Sequence, residues 1–314
     1  MLIQQTYTYK RDNEERSFDL YQLWQARPDE IQDLVNTYQI PEDFITSGLD
    51  PYEIARWESY TNPEGEKFSL CVFNYPFKED TQDFRNVYRV LPISIVTKPG
   101  LVLITSLDSL TAINDMTDER LGDFEGQDEL GVLLTILWFV ARLYNTLLQG
   151  IDREIHALEM DVTETTRNEI FYRLMKLNKG LVFFNSGIDR NIEVLDKLQQ
   201  RFEHLEVDTT DARRLRDVNV ELYQASGMAN ELMQLNSKVS DILSSVVNNN
   251  MNQIMKILTV WSIILTIPTI VSGIWGMNVP LPGEEANSAL YIIGAITFSL
   301  MLLIYWLFKR NHWL

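Results

Sequence analysis

Residues 257–278 read Ile-Leu-Thr-Val-Trp-Ser-Ile-Ile-Leu-Thr-Ile-Pro-Thr-Ile-Val-Ser-Gly-Ile-Trp-Gly-Met-Asn, and this stretch decides how the chain is organised. No Asp, Glu, Lys or Arg occurs in residues 257–283, and a second uncharged run covers residues 286–308. A helix needs about 20 apolar residues to cross a bilayer. Residues 257–276 and 289–308 both meet this requirement, so we predict two transmembrane helices. A buried hairpin of a soluble protein is the alternative, which two tandem uncharged runs disfavour.

Charged residues flank the two predicted spans asymmetrically. Basic residues lie before the first span and after the second, at Lys256, Lys309, Arg310 and His312. Glu284 and Glu285 lie in the short connecting loop, residues 279–288. Positive residues favour the cytoplasmic side. We therefore predict a multi-pass protein of the cell membrane with an external loop and both termini, including the basic tail at 309–314, in the cytoplasm. No signal peptide is expected, since the chain does not begin with a basic region and an apolar core.

The first span carries a stripe of polar or small side chains. They recur at steps of three and four residues: Asn252, Met255, Thr259, Ser262, Thr266, Thr269, Gly273 and Gly276. Polar groups within a membrane face protein or water rather than lipid. The stripe therefore predicts a pore lining, helix packing through small residues, or both, whereas the second span is predicted to face lipid. Pro268 removes one backbone hydrogen bond, and Thr266 or a neighbouring helix could satisfy the freed carbonyl group.

A long helical pattern leads into the first span. Residues 209–256 contain no proline, and Gly227 is their one glycine. Apolar residues recur at helical spacing, interrupted by Asn236: Leu222, Ala225, Ala229, Leu232, Val239, Leu243 and Val246. We assign residues 209–278 to a stalk helix, roughly 100 Å long, that continues into the first span. Such a helix is not stable alone, and one copy with two spans does not enclose a pore, so a homo-oligomeric bundle is expected.

The remaining sequence divides into two further segments. Residues 128–208 have a helical pattern and are predicted to form an antiparallel pair that turns near residues 163–167. Their apolar stretch at 131–140 is too short to span a membrane and is expected to be a buried helix. Residues 1–127 predict an α/β domain, although the pattern does not give the order of strands in its sheet. Strands are predicted at 68–73, 91–96 and 101–105, and helices at 29–38 and 51–60.

The composition bears on the class of function. The formal net charge is −17, and residues 1–208 have no basic surplus, so nucleic acid is not an expected partner. The single cysteine, Cys71, forms no intrachain disulfide and is predicted to lie in a buried strand. The sequence has neither a phosphate-binding glycine loop nor a metal-hydrolase histidine pair, so an enzyme is not expected. If the predicted spans form a pore, the absence of a nucleotide-binding motif indicates that transport through it is passive.

The tripeptide Gly276-Met277-Asn278, which follows a proline-containing first span, resembles the signature of CorA-type magnesium transporters. The short acidic loop, the two terminal spans, the basic end and the long stalk agree with this resemblance. It implies an α+β multi-domain membrane protein that assembles as a homopentamer with a cytoplasmic funnel. It also implies that the tripeptide forms a ring at the outer mouth of a pore lined by Asn252, Met255, Leu258, Thr266 and Thr269. Met255 and Leu258 would form the hydrophobic constriction. Some relatives carry a bulky apolar residue where this chain has Thr266.

The resemblance implies transport of Mg²⁺, with Co²⁺ or Ni²⁺ also possible. Asn278 would accept hydrogen bonds from the water shell of the ion, and Glu284 and Glu285 would either attract cations or only make the loop soluble. Asp217 matches the family's stalk carboxylate at a regulatory magnesium site between copies, with a solvated or salt-bridged aspartate as the alternative. Two other functions stay open: a zinc transporter of the same superfamily, and a membrane-anchored sensor or scaffold without transport.

Overall fold

A computed structural model defines the architecture of the chain. It describes the following residues: 2–11, 14–79, 87–108, 124, 126–161, 167–203, 209–277 and 289–311. The chain divides into two compact units, Met1–Val239 and Ser240–Leu314.

The first unit contains a six-stranded sheet. Its strands are β1 (Leu2–Arg11), β2 (Glu14–Trp24), β3 (Arg56–Thr61), β4 (Lys67–Glu79), β5 (Val87–Lys98) and β6 (Leu101–Ser106). They are arranged in the order β1-β2-β6-β5-β4-β3. The β2–β6 pair is parallel and the other pairs are antiparallel. Two short helices follow β2, namely α1 (Pro28–Tyr38) and α2 (Glu42–Thr46).

The three predicted strands are confirmed, since they lie within β4, β5 and β6. The helix predicted at 29–38 is also confirmed as α1. The helix predicted at 51–60 is wrong, because residues 56–61 form β3 and pair antiparallel with β4. The turn that joins β3 to β4 explains this result. Asn62 Oδ1 accepts hydrogen bonds from the backbone N–H groups of Glu64 (3.1 Å) and Glu66 (2.8 Å), and Gly65 has a positive φ of 86°.

Both faces of the central strands are buried. Phe68, Leu70 and Val72 of β4 pack with the side chains of α1 and α2 on one face. The intervening residues of β4 point to the opposite face because side chains alternate along a strand. One of them is Cys71, which is fully buried as predicted. This two-sided burial accounts for the continuous apolar run of β4.

Two long helices cover the opposite face of the sheet: α3 (Glu129–Asp161) and α4 (Arg167–Glu203). Asn191 of α4 binds both backbone groups of Asn74 in β4: Asn191 Nδ2 donates to the carbonyl oxygen (2.7 Å), and the backbone N–H donates to Asn191 Oδ1 (2.8 Å). The pairing of β3 with β4 ends at Val72, so Asn191 replaces a strand partner. Tyr144 of α3 donates to the same carbonyl oxygen at 3.2 Å. Burial raises the pKa of Tyr144, which keeps its proton.

The third long helix, α5 (Thr209–Trp275), begins in the first unit. Buried residues recur at alternating steps of three and four in all three helices, which is the repeat of a coiled coil. On α3 they include Ala141, Tyr144, Leu148, Ile151, Ile155 and Leu158; on α4, Ile170, Leu174, Leu177, Leu181, Phe184 and Ile188; on α5, Leu215, Val218, Leu222, Ala225, Ala229, Leu232, Asn236 and Val239. Asn145 of α3 and Asn236 of α5 connect the helices by hydrogen bonds, to Glu221 Oε2 (2.8 Å) and to the carbonyl oxygen of Leu174 (3.2 Å) respectively.

The second unit contains the end of α5 and α6 (Ala289–Arg310). Three helices of the described chain, α3, α5 and α6, are long and apolar enough to cross a membrane. For α3, 67% of the most apolar window is buried inside the protein, against 17% for α5 and 0% for α6. The stretch at 131–140 therefore lies in a buried helix, as the sequence predicted.

Candidate functional site

The predicted stripe lies on the exposed surface of α5. The side chains of Asn252, Met255, Leu258, Thr259, Ser262, Thr266 and Thr269 are exposed, and so is Gly273. Met255 and Leu258, the residues of the predicted constriction, are 59% and 65% exposed. A single chain therefore leaves the whole stripe uncovered.

The hydroxyl groups of the stripe bind the helix from which they project. Thr259 Oγ1 donates to the carbonyl oxygen of Met255 (2.8 Å), and Ser262 Oγ donates to that of Leu258 (2.9 Å). Thr266 Oγ1 donates to the carbonyl oxygen of Ser262 at 2.7 Å. Because each hydroxyl proton is used within the helix, the oxygen presents lone pairs to a partner. The stripe is thus suited to groups that donate hydrogen bonds, including the waters around a cation.

The opposite side of the same helix is the side that packs. Val260 and Ile264 are buried, and Ile267 and Val271 are half-buried. At about 100° per residue, these positions lie roughly 150° around α5 from the stripe. On α6 the half-buried residues also recur at helical spacing: Ile293, Thr297, Met301, Ile304 and Phe308. The buried and half-buried positions of both helices are therefore mainly apolar, and the polar stripe is not among them.

Pro268 lies inside α5 without ending it. Its ring removes the hydrogen bond to the carbonyl group of Ile264. The expectation that Thr266 satisfies this carbonyl is wrong, because its hydroxyl donates to Ser262 instead. Thr269 Oγ1 donates to the neighbouring carbonyl oxygen of Leu265 at 3.2 Å.

The Gly-Met-Asn tripeptide begins where α5 ends. The backbone N–H of Gly276 donates to the carbonyl oxygen of Ser272 (2.9 Å), and that of Met277 donates to Ile274 (3.3 Å). A Cβ atom at Gly276 would lie 3.2 Å from the carbonyl oxygen of Ser272, so a side chain there would be tight. Met277 is 59% exposed. The other predicted residues of this region, Asn278, Glu284 and Glu285, lie outside the described residues.

Asp217 lies in the first unit, on the exposed side of α5. It lines an open groove of about 410 Å³ together with Gln127, Thr135, Trp138 and Arg214. Arg214 also pairs with Asp211, at 3.2 Å between Nη1 and Oδ1. Within the part of the chain that the structure describes, no group of three or more His, Cys, Asp or Glu side chains could hold a metal ion. A magnesium site at Asp217 would need further carboxylates, for which a second copy is one source.

The sequence prediction did not include Arg214 in this region. The run Arg213-Arg214-Leu215-Arg216-Asp217 was a signal, since residues three apart on a helix are neighbours. A positive charge in the same groove weakens the attraction of the Asp217 carboxylate for a cation. Within the described residues, Arg214 forms its ion pair with Asp211 rather than with Asp217.

Comparisons with known proteins give the family of the chain and relatives of its fold. The family model described as "CorA-like Mg2+ transporter protein" matches residues 16–310. The cobalt/magnesium transport protein CorA of Methanocaldococcus jannaschii is 26% identical to the chain, and the alignment covers 96% of this chain and 94% of that protein. The solved complete structure of the CorA magnesium transporter from the same organism has a TM-score of 0.80 at 23% identity, covering 100% of this chain and 99% of the other.

A more distant likeness covers about three quarters of the chain. The ZntB cytoplasmic domain from Vibrio parahaemolyticus has a TM-score of 0.57 at 14% identity and covers 74% of this chain and 88% of its own. This identity supports a shared fold and no more. Because the family model extends over almost the whole sequence, the chain belongs to the CorA-like Mg2+ transporter family.

Proposed function

We propose that this protein is a divalent-cation channel that passes hydrated Mg²⁺ across the cell membrane, with Co²⁺ or Ni²⁺ as further possible cargo. Family membership and the name of the relative from Methanocaldococcus jannaschii, a cobalt/magnesium transport protein, support the choice of ion. The observation that carries the proposal is the exposed stripe of hydroxyl groups on α5, opposite its packed side. The ion moves down its electrochemical gradient, since the sequence has no nucleotide-binding motif that would couple transport to hydrolysis.

The proposed selectivity site is a ring formed by Gly276, Met277 and Asn278 at the outer end of α5. Magnesium gives up its water reluctantly and prefers oxygen ligands at about 2.1 Å in an octahedral arrangement. Asn278 therefore acts on the water shell, since its side-chain carbonyl accepts hydrogen bonds from the bound waters. Neutral oxygens hold the ion weakly enough for release, which conduction requires. Glu284 and Glu285 raise the local cation concentration through a field screened over about 8 Å.

The pore requires several copies of the chain. A single copy exposes the stripe and its apolar neighbours, including Met255 and Leu258. In a homopentamer, as the family resemblance implies, α5 continues from the cytoplasmic stalk into the membrane and its stripe lines the pore. The apolar surface of α6 faces lipid, and the basic residues Lys309 and Arg310 place its end in the cytoplasm. Met255 and Leu258 then form the hydrophobic constriction.

Gating by intracellular Mg²⁺ is the second part of the proposal. Asp217 is exposed on α5 and lines an open groove. Carboxylates of neighbouring copies repel one another unless a divalent ion bridges them. A bound Mg²⁺ would hold the copies in a closed, symmetric arrangement, and loss of the ion would loosen it. Because Arg214 lies in the same groove, the site needs at least one carboxylate from the neighbouring copy.

Flux through the reconstituted protein tests the proposal. The full chain is placed in liposomes that contain a magnesium-sensitive dye, beside Asn278→Ala. We expect rapid uptake by the parent protein and a large loss in the variant, with equal amounts of protein inserted. Absence of flux in the parent protein would reject the channel and favour the membrane-anchored sensor. The same assay with a zinc-sensitive dye and a pH dye separates the zinc transporter, for which zinc uptake would exceed magnesium uptake or follow the proton gradient.

A further inference from the structure

An open groove of about 350 Å³ lies on the exposed side of α6. All of its lining residues belong to this helix: Ala295, Ile296, Ser299, Leu300 and Leu303. Two of them, Ala295 and Ser299, are small and lie one turn apart beside the larger side chains, so the surface of the helix is recessed there. The half-buried residues of α6 lie roughly 130° around the helix from the groove. The groove is therefore apolar except for one hydroxyl group, and it does not belong to the half-buried side of the helix.

A positively charged residue lies in line with this groove at the end of the helix. At about 100° per residue, Arg310 falls within roughly 20° of the middle of the groove, whereas Lys309 lies roughly 110° away from it. Residues 289–311 contain these two basic residues and no Asp or Glu. The exposed side of α6 thus combines an apolar groove with an aligned cation.

An aromatic ring positions the guanidinium group of Arg310. The Cζ atom of Arg310 lies 5.2 Å from the centre of the Trp306 ring, which is close enough for cation–π attraction. A guanidinium group stacked on a ring keeps the N–H donors at its edge, and these suit bidentate binding of a phosphate group. The C-terminal end of a helix carries partial negative charge, so anion binding at this end depends on the basic side chains.

The length of this surface matches one half of a bilayer. Ala295 and Arg310 lie about 22 Å apart along the helix axis, at about 1.5 Å per residue. A bilayer is about 40–45 Å thick when its headgroup regions are included, so one half measures about 20–22 Å. With Arg310 among the headgroups, the groove extends through the acyl region to the middle of the membrane. The surface therefore has the dimensions of a single phospholipid.

We infer that this side of α6 binds one anionic phospholipid, with the phosphate group at Arg310 and an acyl chain in the groove between Ala295 and Leu303. The lipid belongs to the leaflet around Lys309 and Arg310, which is the cytoplasmic leaflet in the proposed topology. Phosphatidylglycerol is favoured over phosphatidylcholine, because the trimethylammonium group of phosphatidylcholine meets two basic residues and no carboxylate of this segment. The site requires insertion of α6 into a membrane, and it does not depend on which ion the protein conducts.

Native mass spectrometry of the full chain in detergent tests the inference, since it counts the lipids bound to each copy. The protein is titrated with dioleoylphosphatidylglycerol, with dioleoylphosphatidylcholine, and with glycerol phosphate as a soluble headgroup. We expect one phosphatidylglycerol for each copy, bound at least about fivefold more tightly than phosphatidylcholine, because one basic residue near an anionic headgroup contributes about that factor. Glycerol phosphate should not be retained, since it has no acyl chain for the groove.

Two pairs of variants locate the site. Arg310→Gln removes the aligned charge and should weaken phosphatidylglycerol binding at least about fivefold. Lys309→Gln is the matched control and should weaken it less than about twofold, because Lys309 lies away from the groove. Ser299→Leu fills the groove and should weaken the binding of both lipids. Its control, Ser299→Ala, removes only the hydroxyl group and should bind both lipids as the parent protein does.

Several results would overturn the inference. Equal affinity for the two lipids, or retention of glycerol phosphate alone, would contradict a site that needs both an anionic headgroup and an acyl chain. Equal losses in Arg310→Gln and Lys309→Gln would mean that the basic end attracts anionic lipids without a defined site. If Ser299→Leu keeps its lipid but changes the mass of the assembly, a neighbouring copy and not a lipid occupies the groove. Because every readout is lipid binding, none of these results bears on magnesium flux, which the liposome assay measures separately.

Discussion

Thr266 Oγ1 donates a hydrogen bond to the carbonyl oxygen of Ser262, one turn earlier on α5, at 2.7 Å. The same geometry recurs on α6, where Thr297 Oγ1 donates to the carbonyl oxygen of Ile293 at 2.8 Å. The two threonines differ in their surroundings. Thr266 lies on the exposed stripe, whereas Thr297 belongs to the half-buried side of α6. Because of this difference, a change at Thr266 tests whether its hydroxyl group acts in the pore, and the same change at Thr297 tests what such a hydroxyl contributes to the helix alone.

Replacing Thr266 by valine removes the outward-facing oxygen and keeps the shape of the side chain. We expect Thr266→Val to lower magnesium flux about fivefold, which corresponds to the loss of one hydrogen bond of about 1 kcal/mol to the hydrated ion. The initial rate of dye-detected uptake into liposomes measures this effect. Thr297→Val is the matched control and should retain most of the parent rate. Equal losses in the two variants would argue that the hydroxyl groups serve the helices and not the ion.

Asp217 provides the prediction for gating. In the parent protein, Mg²⁺ at millimolar concentration should slow proteolysis of the first unit, and chelation with EDTA should restore it. Asp217→Lys replaces the carboxylate by a cation and should abolish this dependence, since an ammonium group repels the ion. Glu231→Lys makes the same charge change at another exposed position of α5 and should keep the dependence. Unchanged magnesium protection in Asp217→Lys would remove this residue from the gating mechanism.

Asn191 offers a prediction about stability. Its side chain supplies both hydrogen-bonding partners for the backbone of Asn74, which is buried. Asn191→Leu leaves the buried backbone N–H of Asn74 unpaired and its carbonyl with the hydroxyl of Tyr144 alone. We expect a loss of about 2–4 kcal/mol in the free energy of unfolding, seen as a lower unfolding temperature of the full chain in detergent. Asn178→Leu, an exposed change on the same helix, should leave that temperature nearly unchanged. A similar temperature for both variants would contradict this account.

Periodicity predicted the helices because their contacts are local in sequence. The 3.5-residue repeat of Leu222, Ala225 and Ala229 appears in the sequence and again in the buried side of α5. The strand β3 was not predicted, because it depends on the turn at Asn62 and on pairing with β4. The edge strand β1 alternates only weakly, with Tyr7 and Tyr9 on its less exposed side, and all of its residues pair with β2. Such pairing depends on distant residues, which a local pattern does not contain.

The candidate site also combines features that could be predicted from the sequence with features that could not. The exposed stripe on α5 was predictable, since its spacing and its polarity are both read along one helix. The target of the Thr266 hydroxyl was predicted wrongly, because a helical threonine donates to the carbonyl group three or four residues earlier, which excludes that of Ile264. The ring at Asn278 and the partner of Asp217 involve other copies of the chain, so they stay predictions drawn from the family resemblance.

Magnesium uptake under an imposed membrane potential tests the central claim most directly. Liposomes containing the full chain and a magnesium-sensitive dye receive external Mg²⁺, without nucleotide, while a potassium gradient and valinomycin set the potential. We predict that the initial rate exceeds that of protein-free liposomes and rises as the interior becomes more negative, because a divalent ion gains about 4.6 kcal/mol per 100 mV. A rate equal to that of protein-free liposomes at every potential would contradict the claim that this protein conducts magnesium.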